Sequence, residues 1–159
     1  MRLLLASFLV IASVLAQAPA HPDFSGHWQL ASATGTTPPG NLALDIEQAT
    51  TAIQIKAAWQ EPPGGSYGLT TIGIVTPLAR FTTDGQEDLN QVGPFVFHSR
   101  TRWDGARLVT SWNTSEFQGH AFKGTWTRAL SADGRELTLE IAASDSGATS
   151  TRAVLVFHR

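Results

Sequence analysis

The residues that could do chemistry in this chain are a few polar side chains set among aromatic ones in its second half. On one predicted face, the polar members are Ser99, Thr101, Thr110, His120 and Arg128, and the aromatic members are Phe97, Trp103, Trp112, Phe122 and Trp126. A few convergent polar groups in an apolar pocket are typical of small-molecule sites, where they orient a mostly apolar ligand. The candidate ligand-binding residues are therefore Phe97, Ser99, Thr110, Trp112, His120, Phe122 and Trp126.

The same residues have a purely structural interpretation, which stays open at this point. The rings could fill a core, since a barrel of about eight strands is just wide enough either to be filled by side chains or to hold one small ligand. A buried hydroxyl without a partner costs about 1–3 kcal/mol, so Ser99 is expected to bond Thr110 across a hairpin. Arg128 is expected at a rim, with its charged head in water and its stem over apolar surface.

Patterns for catalysis and for metal binding are absent from the sequence. There is no Gly-x-Ser-x-Gly, HExxH or His-x-His pattern, there are no cysteines, and the five histidines do not fall into metal-ligand spacing. The sequence therefore predicts no catalytic residue, metal or cofactor. One enzymatic alternative remains, in which His120 acts with Ser99 or Thr110 as an isomerase or hydratase.

Length and charge point to one domain without a polyanionic partner. The chain has 159 residues and a formal net charge of −2, with lysine and arginine scattered along it. No basic patch for nucleic acid or a membrane surface is evident. We expect a single domain over residues 21–159, and a monomer.

The N-terminus predicts export. Met1 and Arg2 precede an apolar run over residues 3–15, and small-residue cleavage patterns follow, with cuts after Ala16, Ala18 or Ala20. The run is short for a membrane span, so residues 1–20 are typical of a secretory signal peptide. We therefore expect a periplasmic or secreted protein that has no integral membrane segment after cleavage.

The strongest local structure signal is a hairpin about Asp104 and Gly105. Residues 95–103 and 106–112 alternate in character on either side of this pair, and Asp-Gly is typical of a type I′ turn. A two-residue loop would pair Thr101 with Leu108, Ser99 with Thr110 and Phe97 with Trp112, which places the large apolar groups on one face.

Further hairpins extend this pattern in both directions. Pairing about Asp133 and Gly134 sets Leu130 against Leu137 and Trp126 against Ile141, whereas the earlier pair of strands is expected to place Ile46 opposite Ile53 and Leu44 opposite Ile55. Residues 67–76 are also expected to form a strand. Frequent turn signals without a helical period predict an all-β, antiparallel, up-and-down β-barrel of about 8–10 strands.

Several of these segments resemble a known family. The stretch from Phe24 to Leu30 is similar to the Gly-x-Trp strand that opens lipocalin-like barrels, and residues 103–109 and 130–139 resemble hairpins of small exported bacterial proteins of lipocalin-like (calycin) type. The resemblance implies a small barrel that holds an apolar ligand. It also implies that an arginine from the last strand, Arg152 or Arg159, packs over Trp28.

The resulting functional hypothesis is an exported lipocalin-like protein that binds or carries a small hydrophobic ligand in its interior. Its rivals are the calycin-type enzyme described above and a filled barrel that acts through its surface in the cell envelope. An interior cavity would distinguish these three hypotheses.

Overall fold

Ten strands make up the fold in the computed structural model, which describes residues 21–60, 78–92, 94–117, 119–146 and 149–159. The strands are β1 (Gly26–Thr34), β2 (Gly40–Gln48), β3 (Ala52–Gln60), β4 (Leu78–Thr82), β5 (Asp84–Val92), β6 (Phe95–Asp104), β7 (Arg107–Thr114), β8 (Phe122–Leu130), β9 (Glu136–Asp145) and β10 (Ser150–His158). The predicted signal peptide and the predicted strand over residues 67–76 lie outside the described residues. In the described part of the chain no helix is long and apolar enough to cross a membrane.

The strands form one antiparallel, up-and-down sheet that curls into a nearly closed barrel. Its order is β4-β3-β2-β1-β10-β9-β8-β7-β6-β5, so every neighbour in the sheet is a neighbour in sequence except β1 and β10, which join the two halves. The predicted all-β barrel is confirmed. Complete pairing of strand edges is the usual way in which such a protein avoids exposing them.

Alternation along each strand separates an inner face from an outer one. On β7, for example, Leu108, Thr110 and Trp112 are buried, whereas Ser111 and Asn113 between and beyond them are exposed. This period-two pattern is the reason that the apolar parity could be predicted from sequence alone.

The predicted pairing of the central hairpin is wrong by two residues. Thr101 lies opposite Thr110, and Asp104 pairs with Arg107, so the two loop residues are Gly105 and Ala106. Only Gly105 has a positive φ, of 59°, which suits the first central position of a type II′ turn and not a type I′ turn. Because a shift of two residues preserves parity, the predicted inner face survives the error.

The same kind of error affects β2 and β3, where Ile46 lies opposite Ile55 and not Ile53. The two-residue loop lies one position further along the chain than expected, over residues 50–51, because the N–H of Ala49 donates to the carbonyl of Ala52 at 2.8 Å. On β8 and β9, by contrast, the predicted pairs Trp126–Ile141 and Leu130–Leu137 are confirmed.

An arginine packs over Trp28 of β1, as the resemblance implied. This arginine is Arg159, which follows β10. Its Cζ lies 4.6 Å from the centre of the Trp28 ring, and its Nη2 donates to the Ser25 carbonyl at 2.8 Å. Gly26 has a φ of 137°, and a Cβ there would lie 3.3 Å from Arg159 Nε. A side chain at Gly26 would therefore be strained and would crowd the capping guanidinium.

We predict that Arg159→Ala lowers the free energy of unfolding by about 1 kcal/mol, because it removes the cation–π contact with Trp28. Urea denaturation measures the change. Arg152→Ala is the matched control, since Arg152 is exposed and makes no ion pair within the described chain. Equal effects of the two substitutions would contradict a capping role for Arg159.

Candidate functional site

A group of inward-facing side chains from four strands forms the candidate site. We call it the inner cluster; its members are Phe81 of β4, Phe97 and Thr101 of β6, Thr110 and Trp112 of β7, and Trp126 and Arg128 of β8. All seven are buried, with exposed fractions of 5% or less.

The aromatic members of the inner cluster contact one another. The ring centres of Trp112 and Trp126 are 5.1 Å apart, and Phe97 lies 5.2 Å from Trp112 and 6.0 Å from Trp126. Phe81 meets Trp126 edge-on at 6.0 Å. At this level the barrel is filled by side chains and is not lined by them around an open space, so a bound molecule would have to displace at least one ring.

The Trp112 ring depends on a glycine in the neighbouring strand. Gly124 lies directly opposite Trp112, and a Cβ built on it would come within 2.7 Å of the indole ring and 2.3 Å of the Ala142 carbonyl oxygen. Only glycine leaves this space free, which explains an otherwise unfavourable residue in the interior of a strand.

The predicted rim position of Arg128, with its head in water, is wrong. Arg128 is buried inside the barrel. Its Nη1 donates to Thr110 Oγ1 at 3.2 Å, and Thr110 is in turn bonded to Thr101 at 2.9 Å. The Arg128 Cζ also lies 5.5 Å from the Phe81 ring centre and 5.7 Å from that of Trp126. Two ring faces and a hydroxyl therefore take the place of the water that a rim position would have supplied.

The charge of Arg128 has no acidic partner among the described residues. Each ion pair of the described chain involves other residues, and all of these pairs are at least partly exposed. Burial lowers the pKa of Arg128 to about 10, so the guanidinium remains protonated at neutral pH. A buried charge of this kind is unfavourable unless something compensates it.

Two further donors in the inner cluster lack acceptors. The Nε1–H groups of Trp112 and Trp126 are buried and have no hydrogen-bond partner within the described chain. Together with the remaining N–H groups of Arg128, they give the interior an excess of donors. A molecule bringing acceptor oxygens, such as a carboxylate or another oxyanion, would satisfy them.

Four of the seven predicted ligand-binding residues belong to the inner cluster: Phe97, Thr110, Trp112 and Trp126. Ser99 is also buried, but its hydroxyl donates to the Asp88 carbonyl at 3.4 Å. The expected bond between Ser99 and Thr110 is therefore wrong, because the two-residue shift in register makes Thr101 the partner of Thr110.

The remaining two, His120 and Phe122, lie elsewhere. His120 is exposed in the connection between β7 and β8, where its backbone pairs with Phe117, so strand parity does not apply to it. Phe122 stacks on His120 and packs against Phe95 at 5.4 Å, in an aromatic group at the end of the strands. The enzymatic alternative requires His120 to act with Ser99 or Thr110, but the buried hydroxyls of these two residues are bonded to other partners and not to His120.

Three members of the inner cluster were not among the predicted site residues: Phe81, Thr101 and Arg128. The last two share the parity of Trp126 and Phe97, and that signal was visible in the sequence. Phe81 had no comparable signal, because β4 is only five residues long and too short for a clear alternation.

Cavities and metal ligands do not indicate another site of chemistry. A cavity of about 600 Å³ lies mainly on the outer wall, where Arg100, Lys123 and Arg152 contribute to its lining, although Trp112 of the inner cluster also contributes. Within the described ranges, no group of three histidine or acidic side chains is placed to hold a metal ion.

Comparison with solved structures establishes the kind of barrel. Zebrafish ileal bile acid-binding protein, complexed with cholic acid, matches with a TM-score of 0.53 at 15% identity, over 86% of this chain and 98% of that one. The fold is a calycin-type barrel. A secretory abundant heat soluble protein from Ramazzottius varieornatus matches with a TM-score of 0.52 at 11% identity, covering 86% and 94% of the two chains.

Secretory abundant heat soluble protein 4 from the same organism has a TM-score of 0.50 at 16% identity and covers 87% of this chain and 97% of its own. These identities show the fold alone, so the bacterial lipocalin-like family remains a prediction. No protein-family model matches the chain, and no curated protein sequence matches it either.

We predict that Arg128→Met leaves the free energy of unfolding unchanged or raises it by about 1–4 kcal/mol, because an apolar side chain of similar length replaces an uncompensated buried charge. Urea denaturation of the ligand-free protein measures the change, with Arg152→Met as the control. A loss of several kcal/mol would mean that the guanidinium has a structural partner and is not available to a ligand.

Proposed function

We propose that this barrel binds a small molecule that has a mostly apolar body and one oxyanion head, such as a carboxylate or a sulfonate. The observation that carries the proposal is the buried guanidinium of Arg128, which has no acidic partner in the described chain and lies against the ring of Trp126, whose indole N–H also lacks an acceptor. An oxyanion would compensate the charge and accept from the free donors at once.

The apolar body of the ligand is expected to contact the rings around Arg128. Phe97, Trp112 and Trp126 are the proposed contacts for the body, and Thr110 helps to hold the guanidinium that receives the head. Aromatic walls with a few placed polar groups are typical of small-molecule sites. The fold supports this proposal, since one protein with a similar barrel is described in complex with cholic acid.

The other sequence-predicted contacts have narrower roles in this proposal. Ser99 already donates to a backbone carbonyl, and it would contact only the apolar body. Phe122 lies two residues from Gly124 along β8, which is about 7 Å by the rise of a strand. Phe122 and its neighbour His120 would therefore touch only a ligand long enough to reach the end of the strands.

A matched pair of probes tests the proposal. Anilinonaphthalene sulfonate and phenylnaphthylamine share one aromatic scaffold, and only the first carries an anion. We expect the sulfonate to bind the native protein more tightly than the amine, by about ten-fold or more, because hydrogen bonds to a charged group are worth about 1.5–3 kcal/mol. Probe fluorescence and tryptophan quenching measure the two affinities.

Substitution of Arg128 should remove the preference for the anion. In Arg128→Met the affinity for the sulfonate should fall to about that for the amine, whose own affinity should not change. Arg152→Met, on the outer face, should leave both affinities unchanged. If the native protein bound both probes equally, or if Arg128→Met kept the preference, the oxyanion proposal would be wrong.

We also propose that the protein is exported and cleaved, on the strength of the signal-peptide pattern alone. Expression of the full chain in a bacterium with a Sec pathway should yield a shortened protein in the periplasm or medium. Intact-mass measurement should place the cut after Ala16, Ala18 or Ala20. A full-length product in the cytoplasm would contradict this proposal.

A further inference from the structure

The ten described strands leave one seam in the barrel wall, and it lies between β4 and β5. These strands are the two ends of the ten-stranded sheet, and no backbone ladder joins them, although they follow each other directly in sequence. All other neighbouring strands are joined by backbone pairs; β8 and β9, for example, pair continuously from Phe122 to Leu130.

Two side chains close this seam in place of the missing ladder. The Asn90 side chain accepts from the Arg80 N–H at 3.0 Å and donates to the Arg80 carbonyl at 3.1 Å, so one amide imitates both halves of a backbone pair. The Asp88 carboxylate accepts from the Thr82 N–H at 2.7 Å and from its hydroxyl at 3.0 Å.

The seam is the part of the wall that opens at least cost. Its bonds come from partly exposed side chains, which can exchange them for bonds to water with little net loss. The strand on one side, β4, has only five residues, and among the described residues a backbone ladder joins it on its β3 side alone. Segments with few backbone bonds and exposed closures belong to the low-stability end of local opening.

Directly behind the seam stands a member of the inner cluster. Phe81 belongs to β4 and is 2% exposed, and its ring contacts both Trp126 and the Arg128 guanidinium. An outward movement of β4 would carry this ring away and uncover the N–H groups of Arg128. It would also create the room that the filled interior lacks.

We propose that the barrel opens between β4 and β5 and that Phe81 moves outward with β4. The ligand then occupies the space that the Phe81 ring has left. The inference rests on the proposed function and deepens it. The ligand that fits has an apolar body of aromatic size next to its oxyanion head, because the vacated space is that of one phenyl ring beside the guanidinium.

A covalent lock on the seam tests this route. The chain contains no cysteine, so the double variant Arg80→Cys/Leu89→Cys places two thiols on the exposed faces of the strands and spares Asn90 and Asp88. After reaction with a short bifunctional maleimide, stopped-flow fluorescence gives the rates of association and dissociation of anilinonaphthalene sulfonate. We expect both rates to fall by about ten-fold or more, whereas equilibrium affinity changes much less.

The matched control locks a continuous part of the wall. Ser111→Cys/Thr125→Cys joins directly opposed, exposed positions on β7 and β8, and its reaction with the same reagent should leave both rates unchanged. The far-ultraviolet circular dichroism of each locked protein, compared with that of the native protein, verifies that the barrel is retained.

Two single variants probe the seam without any cross-link. Asn90→Ala removes the amide that bridges to Arg80 and should raise both rates. Phe81→Ala removes the ring, so the space for the ligand is present without any movement of β4. The affinity for the sulfonate should therefore rise, since cavities that replace a ring admit aromatic ligands.

The outcomes separate the route from the function. If the sulfonate binds through Arg128 but the seam lock slows neither rate, the route is wrong and the proposed function stands. Unchanged kinetics in Asn90→Ala together with unchanged affinity in Phe81→Ala would also overturn it. If the unlocked native protein fails to bind the sulfonate, both the route and the proposed function are overturned.

Discussion

The interior of this barrel depends on the burial of one positive charge without an acidic partner in the described chain. Arg128 is covered by the rings of Phe81 and Trp126 and is hydrogen-bonded to the hydroxyl of Thr110. A hydroxyl and two ring faces compensate a guanidinium only in part, since it has five N–H groups. An ordinary apolar core contains no such charge. The unfavourable free energy of burying the Arg128 guanidinium is the physical reason to look for a ligand here.

The aromatic packing and the closure of the sheet restrict the access of a ligand to the interior. The rings of Phe97, Trp112 and Trp126 fill the level at which Arg128 lies, so a rigid barrel would admit nothing. Barrels that bind molecules inside have to reconcile closed edges with access to the interior. In this protein the discontinuity between β4 and β5 lies beside the ring of Phe81, which is one of the two rings that cover the charge.

The candidate site was partly predictable, and the errors have identifiable causes. Phe97, Thr110, Trp112 and Trp126 were found because parity alone decides which face they occupy. The position of Arg128 was misjudged because sequence cannot tell whether a long basic side chain reaches water or packs inside the barrel against aromatic rings, one of which belongs to a distant strand. His120 was misplaced because it falls in a connection, where alternation no longer applies.

The sequence by itself predicted an all-β, up-and-down barrel and the face that most side chains of β6 to β9 occupy, since period-two alternation and hairpin turns are local properties. It did not determine exact register, because a shift of two residues conserves the inner face and only the backbone of the turn decides between the alternatives. The tertiary structure alone decided that Arg159 and not Arg152 covers Trp28, that Phe81 meets Arg128, and that side chains close the last seam. The first two contacts join residues far apart in sequence, which only the curl of the whole sheet brings together, and the seam bonds depend on how the two end strands meet.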